Sequence, residues 1–370
     1  MHIKVERLRE ALMLLQPAIP RKPTLTALAN ILLKDGRAAA TDLETWAILE
    51  LPEVEGEYLL PHHLARDLLK YVPGYDFLTI EQSEKKRVTL SWDGGKATYD
   101  VPEARDYPPV PEVPVSTEAP VDGDSLVKAL MSVLPYCSSE AKRPVLTGVT
   151  LSLGATIEAV GADGFRLAIK SVSDAYPVEQ DVIIPANSVA ILSHLWDKLP
   201  PPVPPQDDLV RQVISKRQVQ LGLADGTLLA RFGRVTLVSK LIQGTPPRYK
   251  QLIPQDTPLK VRVFAPELER AVRRVSDMAR DSSGIVRLSW TETTLTVSAK
   301  AADKGEVQAD LPVQTEGGPG KVAVNVNYLV DYLSAREGLL TIGVTGGTSP
   351  VLFRHGTSPL VLIMPMNPKD

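Results

Sequence analysis

Three stretches of this chain carry the same apolar stripe, and that repetition limits the possible folds more than any other feature. The stripes are Leu8, Ala11, Leu12 and Leu15; Leu126, Ala129, Leu130 and Val133; and Leu268, Ala271, Val272 and Val275. Each follows the spacing i, i+3, i+4, i+7, which sets four apolar side chains on one face of an α-helix. Asp124-Ser125 is expected to cap the second helix, and Pro266 suits the first turn of the third. A helix with one apolar face needs a second layer to cover it, so the chain should fold as repeated units.

The copies continue alike. Arg21-Lys22-Pro23-Thr24-Leu25 follows the first helix and Lys142-Arg143-Pro144-Val145-Leu146 the second, each expected to lead into a strand. Arg280-Asp281-Ser282-Ser283-Gly284-Ile285 is a weaker third version. An apolar strand then runs into a second helix: residues 58–61 into 64–72, 182–185 into 189–196, and 322–325 into 328–333. Copy one closes with Thr98-Tyr99-Asp100-Val101 before Tyr107-Pro108-Pro109, and copy two with residues 236–241 before Thr245-Pro246-Pro247. Copy three stops on Leu360-Val361-Leu362-Ile363-Met364-Pro365-Met366. Pro-rich segments at 108–120 and 253–258 divide the copies, which gives domains at 1–118, 119–255 and 256–370. A further run at 200–205 is expected to be an exposed loop within copy two. Many short strands and two helices per copy predict an α+β fold of antiparallel sheets with helices on one face.

Residues 161–170, Gly-Ala-Asp-Gly-Phe-Arg-Leu-Ala-Ile-Lys, read as a strand carrying a tight turn at Asp163-Gly164. Leu167 and Ile169 alternate with Arg166, Ala168 and Lys170, so one side can face a core. Ala40-Thr41-Asp42-Leu43-Glu44-Thr45-Trp46-Ala47 is an echo of this stretch.

Composition narrows the function. The single cysteine, Cys137, rules out an internal disulfide and points to a reducing compartment. The N-terminus lacks the apolar core of a signal peptide, and no apolar run is long enough for a membrane span. Catalytic patterns are poor. Gly317-Gly318-Pro319-Gly320-Lys321 lacks the first glycine and the final hydroxyl of a phosphate loop, and reads as a turn. His62 and His63 are adjacent and point apart on a helix, so they cannot ligate one metal as an i, i+4 pair does; a helix-start or surface role is expected. Asp42 and Asp163 recur at matched positions, which favours turn chemistry. An enzyme using Asp42, His62 or Asp163 as acid or base is the alternative, and no unique polar cluster of the kind it needs breaks the symmetry. No cofactor and no metal are expected.

The net charge of −3 disfavours a nucleic-acid partner only if the charge is evenly spread. Basic residues recur at matched positions: Arg7 and Arg9, Lys128, and Arg270, Arg273 and Arg274 on first helices, then the pairs Arg21-Lys22 and Lys142-Arg143, with Arg66 and Lys70 on a second helix. A solvated face explains any one of them. Their return would concentrate charge on a common surface suited to loose contact with a phosphate backbone, without base reading.

The ordered set Lys22-Pro23-Thr24-Leu25, Ala40-Thr41-Asp42-Leu43-Glu44, Ala162-Asp163-Gly164-Phe165-Arg166-Leu167-Ala168, Ser239-Lys240-Leu241-Ile242-Gln243-Gly244, Pro247-Arg248-Tyr249, Asn325-Val326-Asn327-Tyr328-Leu329 and Met364-Pro365-Met366 resembles the bacterial sliding clamp, the beta subunit of DNA polymerase III. The resemblance runs the whole length. It implies a homodimer joined head to tail into a six-domain ring, helices lining the hole and sheets outside, with double-stranded DNA passing through irrespective of sequence. It implies a cytoplasmic protein without catalysis. Its partners are expected to be the DNA polymerase III catalytic subunit, an ATP-driven clamp loader, and other replication and repair proteins carrying clamp-binding peptides. The peptide pocket, carried over by position, is Leu146, Ala162, Gly164, Phe165, Arg166, Leu167, Pro247, Gln251, Leu252, Asn325, Tyr328, Leu362, Met364, Pro365 and Met366. Phe165 stands where the family usually has His, Ala162 where it has Thr, and Gln251 where it has Arg. DNA-contact positions carried over are Lys22, His63, Lys142 and Arg143, with Arg21 added from the local basic pair.

Replacing Lys22, Lys142 and Arg143 together by Glu should weaken loading on DNA, read as protein retained on a nicked plasmid. Loading equal to that of the parent would reduce these residues to solvated surface.

Overall fold

The computed structural model describes residues 1–370 except 84–85, 115–116, 200–216, 225, 357 and 368–370. The loop expected at 200–205 therefore lies outside the described residues. Among those described there are six α-helices, two in each copy of the repeat: α1 (Val5–Leu15), α2 (His62–Leu69), α3 (Gly123–Val133), α4 (Ala186–Lys198), α5 (Ala265–Arg280) and α6 (Val326–Leu333). Every residue of the three predicted stripes is buried. None of these helices is long and apolar enough to cross a membrane.

Helix ends differ from expectation in two places. α3 begins one residue before Asp124, and its cap is Asp122, whose Oδ1 accepts from the Ser125 amide at 3.0 Å. Gly123 is needed there because a Cβ would lie 2.1 Å from the Trp196 ring. α2 spans 62–69 rather than 64–72, because the Arg9 guanidinium donates to the Leu69 carbonyl and, at 2.7 Å, to the Val72 carbonyl, tying down the loop that follows. Pro266 sits in the first turn of α5 as expected.

The chain forms two compact units. The first comprises Met1–Met131, Leu151–Ile157 and Val172–Gly244. It contains an eight-stranded antiparallel sheet in the order Glu57–Pro61, Asn30–Lys34, Arg37–Thr41, Thr45–Glu50, Val235–Lys240, Thr227–Phe232, Gln218–Ala224, Thr117–Asp122. Strands of copies one and two meet in the middle, with Thr45 opposite Ser239. The Thr45 and Ser188 hydroxyls are 2.6 Å apart, and Ser239 donates to Ser188 at 2.9 Å, all three buried. A second sheet runs His2–Lys4, Phe77–Ser83, Arg87–Trp92, Gly95–Asp100.

The second unit comprises Ser132–Thr150, Glu158–Ser171 and Thr245–Asp370. There the strand Arg166–Val172 meets Leu360–Ile363, followed by Val351–Arg354, Leu339–Val344, Leu259–Phe264 and Gln314–Glu316. Copies two and three thus pair as copies one and two do, with Arg166 opposite Ile363. A four-stranded sheet runs Gly305–Pro312, Thr294–Ala301, Ile285–Trp290, Gly320–Asn325. The phosphate-loop look-alike is the turn before the last of these, with Gly317 and Gly318 both at positive φ.

Pro17 has no amide to return to the Met13 carbonyl, so α1 ends with unsatisfied acceptors. His194 Nε2 donates to Met13 O at 3.2 Å, and His62 Nε2 to Leu12 O at 2.9 Å. His62 is buried, and burial holds its pKa below the ordinary histidine value of 6.5. The unfolded chain therefore takes up this proton at higher pH than the folded one. The stability that His62 contributes is complete above about pH 6.5 and drains as pH falls through the lower folded value. Urea unfolding of the parent should weaken from pH 7.5 to 5.5 by more than that of His62→Gln. Equal pH slopes would contradict the assignment.

Candidate functional site

The site grows from the turn at Asp163. Its Oδ1 accepts from the Phe165 and Arg166 amides, each at 2.9 Å, and Gly164 takes φ +94°. Asp42 makes the same turn, accepting from the Glu44 and Thr45 amides at 3.0 and 2.7 Å, with Leu43 at φ +80°. A leucine there costs on the order of 1 kcal/mol, a cost glycine avoids. The turn throws Phe165 outward to 54% exposure, while Leu167 and Ile169 go to the core. The Phe165 carbonyl accepts from the Met364 amide at 2.8 Å, closing the pairing with the last strand.

Val160, Leu167, Ile169, Tyr249, Leu352 and Leu362 pack as one buried cluster beneath this turn. Above it lies a cavity of about 170 Å³. Of the predicted pocket, Leu146, Ala162, Gly164, Phe165, Arg166, Leu167, Pro247, Leu252, Leu362 and Met364 line it. Tyr249 and Pro350 line it too. Tyr249 belongs to the motif Pro247-Arg248-Tyr249, and its hydroxyl donates to Glu158 at 2.9 Å; no repeat signal marks Pro350. Phe165, Leu252 and Met364 leave apolar surface in water at the mouth. Exposed apolar clusters around a concavity are characteristic of binding surfaces.

Gln251, Asn325, Tyr328, Pro365 and Met366 are not among the lining residues. Gln251 is exposed on the short helix Tyr249–Leu252. Asn325 caps α6 through Oδ1, which accepts from the Asn327 amide at 2.9 Å. The Tyr328 ring lies 4.6 Å from the Arg166 guanidinium. Pro365 and Met366 follow the final strand, and the Met366 amide donates to Ala323 O at 2.8 Å.

The basic residues divide. Arg21, Lys22 and Lys142 are exposed, with no carboxylate partner among the described residues. His63 Nδ1 is 3.3 Å from Asp67, a carboxylate shared with Arg66 and Lys70. Arg143 pairs with Glu140 at 2.9 Å, and its Nη1 lies 2.6 Å from where a Gly164 Cβ would stand, so it packs against the groove. Each basic pair leads into a one-turn helix, Thr26–Ala29 or Pro144–Leu146, before its strand, and Pro144 opens the second of these. Arg7 is bound by Glu10 and Glu53, and Arg273 by Glu269, whereas Lys128, Arg270 and Arg274 have no carboxylate partner among the described residues.

The description "DNA polymerase III beta subunit, central domain" matches residues 121–248, and "DNA polymerase III beta subunit, C-terminal domain" matches 250–367. The beta sliding clamp of Synechococcus elongatus is 27% identical over 383 aligned positions, covering 97% of this chain and 96% of the relative. That of Streptomyces coelicolor is 28% identical, covering 95% and 93%. The solved DNA polymerase III beta subunit of Pseudomonas aeruginosa superposes with TM-score 0.86 at 24% identity, over 99% of this chain and 100% of that one. A P. aeruginosa clamp bound to griselimycin has TM-score 0.83 at 23% identity, over 99% of each chain. Repeated α+β units with antiparallel sheets and an apolar groove are the architecture of these clamps. The chain belongs to the DNA polymerase III beta subunit family, the bacterial sliding clamps. It is a processivity subunit and not an enzyme.

Side chains weighed for chemistry are committed locally. Asp42 and Asp163 hold turns, and His62 holds α1. Cys137 Sγ donates to Gly148 O at 3.2 Å, and burial pushes its thiol up to about 12. At pH 8 iodoacetamide should label it roughly a thousandfold more slowly than an exposed cysteine. Labelling at the ordinary rate would contradict this burial.

Proposed function

We propose that this clamp encircles duplex DNA as a head-to-tail ring of two copies and tethers the replicative polymerase through the groove at Phe165, Leu252 and Met364. The observation that carries the tether is that apolar groove, with three large hydrophobic side chains exposed at its mouth. In water each costs on the order of 1–2 kcal/mol relative to full burial, which a linear apolar peptide recovers on binding. A polymerase held this way keeps a high effective concentration near the primer end, so a dissociated polymerase is recaptured. The same groove serves the DNA polymerase III catalytic subunit and other replication and repair proteins with clamp-binding peptides. Met364 provides an adaptable surface for several of them.

The chain comprises three clamp domains, 1–118, 119–255 and 256–370. The ring reading is supported by two edge strands among the described residues, Gly95–Asp100 in copy one and Gly305–Pro312 in copy three. Exposed Leu64, Tyr71 and Tyr75 give copy one further apolar surface of the kind a subunit partner covers. Arg21, Lys22, His63, Lys142 and Arg143 are the DNA contacts; they meet phosphates and so read no sequence. A closed ring needs an ATP-driven loader to pass DNA, and the protein works in the cytoplasm.

Light scattering should give twice the 40.2 kDa chain mass, and negative-stain images should show an open centre. Met364→Ala should weaken polymerase-peptide binding at least tenfold with the dimer intact. Unchanged peptide affinity would remove the groove assignment, and monomers without a hole would remove the ring.

A further inference from the structure

Among the described residues Arg166 is the one charged residue lining the groove, and each of its three guanidinium nitrogens makes a hydrogen bond. Nε bonds Asp163 Oδ2 at 3.0 Å, Nη1 bonds Asp331 Oδ2 at 3.1 Å, and Nη2 donates to the Pro135 carbonyl at 3.1 Å. Its two flanking rings are Tyr328 at 4.6 Å and Tyr136 at 5.1 Å. The side chain is only 13% exposed. Three of its five N–H donors are thus engaged within the chain. What it fixes is the backbone between Phe165 and Leu167, opposite Ile363, where Phe165 O holds the Met364 amide. Those are the residues that shape the mouth.

We infer that Asp331 and Tyr136, which lie outside the groove, are positioning residues for it: by gripping Arg166 they hold the Phe165–Met364 wall in the shape that accepts an apolar ligand. This rests on the groove reading above. Asp331 is on α6, in copy three, and its side chain is 61% exposed. Tyr136 ends the one-turn helix Leu134–Tyr136 that follows α3 in copy two. The grip thus makes groove affinity depend on a salt-sensitive contact between copies two and three.

The test uses the full-length chain and griselimycin, which solved relatives hold. Titration calorimetry of Asp331→Asn should show affinity about threefold to fivefold weaker at about 0.05 M salt, with thermal midpoint unchanged. Asp331→Glu should restore it. Tyr136→Phe, which keeps the ring, should bind like the parent, and Tyr136→Ala should not. Parent affinity should fall toward the Asp331→Asn value at about 0.5 M salt, while the variant stays flat. Without ligand, the Met364 amide should exchange faster in Asp331→Asn. Leu252→Ala and Met364→Ala report on the groove itself. If these two weaken binding while Asp331→Asn changes neither affinity nor Met364 exchange, the positioning role is overturned and the groove stands. If griselimycin ignores all of them, the groove reading falls and this inference with it.

Discussion

Strands from different copies of the repeat meet antiparallel in one shared register, and the rest of the structure depends on that pairing. Thr45 faces Ser239 in the first unit, and Arg166 faces Ile363 in the second. Each pairing is entered through an aspartate that accepts the two amides two and three residues ahead. The turn decides which residue begins the strand. Since side chains alternate with period two, a slip by one would turn Leu167 and Leu362 out of the core and dissolve the groove floor. Gly161 tightens the same region, since any Cβ there would stand 2.1 Å from the Val133 carbonyl.

The two seams share a backbone and differ in chemistry. At the first, the position of Arg166 is held by Thr45, and small buried hydroxyls close the space beneath α4. At the second, a guanidinium too large to bury alone is stacked between tyrosines and paired with two carboxylates. That arrangement leaves room for a cavity bordered by Phe165, Leu252 and Met364. The repeat gives both seams one frame, and a few side chains make the second seam concave. Charge is used in the same divided way. Arg9 serves the backbone, Arg7 and Arg273 are taken by carboxylates, and Arg21, Lys22 and Lys142 remain exposed.

Much of this was legible in the order of residues. The stripes named the buried faces of α1, α3 and α5, because helical periodicity and burial express the same geometry. The recurrence of Asp42 and Asp163 indicated turns, because an aspartate before a strand bonds its own following amides. Helix ends were less legible. Asp122 displaced Asp124 as the cap because Trp196 claims the space beside Gly123, and α2 stops early because Arg9 binds carbonyls sixty and more residues away.

The sequence by itself determined the repeat, the α+β class and the family, since these follow from local periodicity and from motifs in a fixed order, and the family resemblance named ten residues that line the cavity. Only the tertiary structure decided that Tyr249 and Pro350 join the groove while Asn325 and Tyr328 serve as a cap and a stacking ring. It alone showed that Arg166 is bonded to Asp163, Asp331 and Pro135, and that Arg143 packs against Gly164. Those outcomes depend on which distant side chains arrive at one point. Residue spacing carries no information about that until the strands have paired.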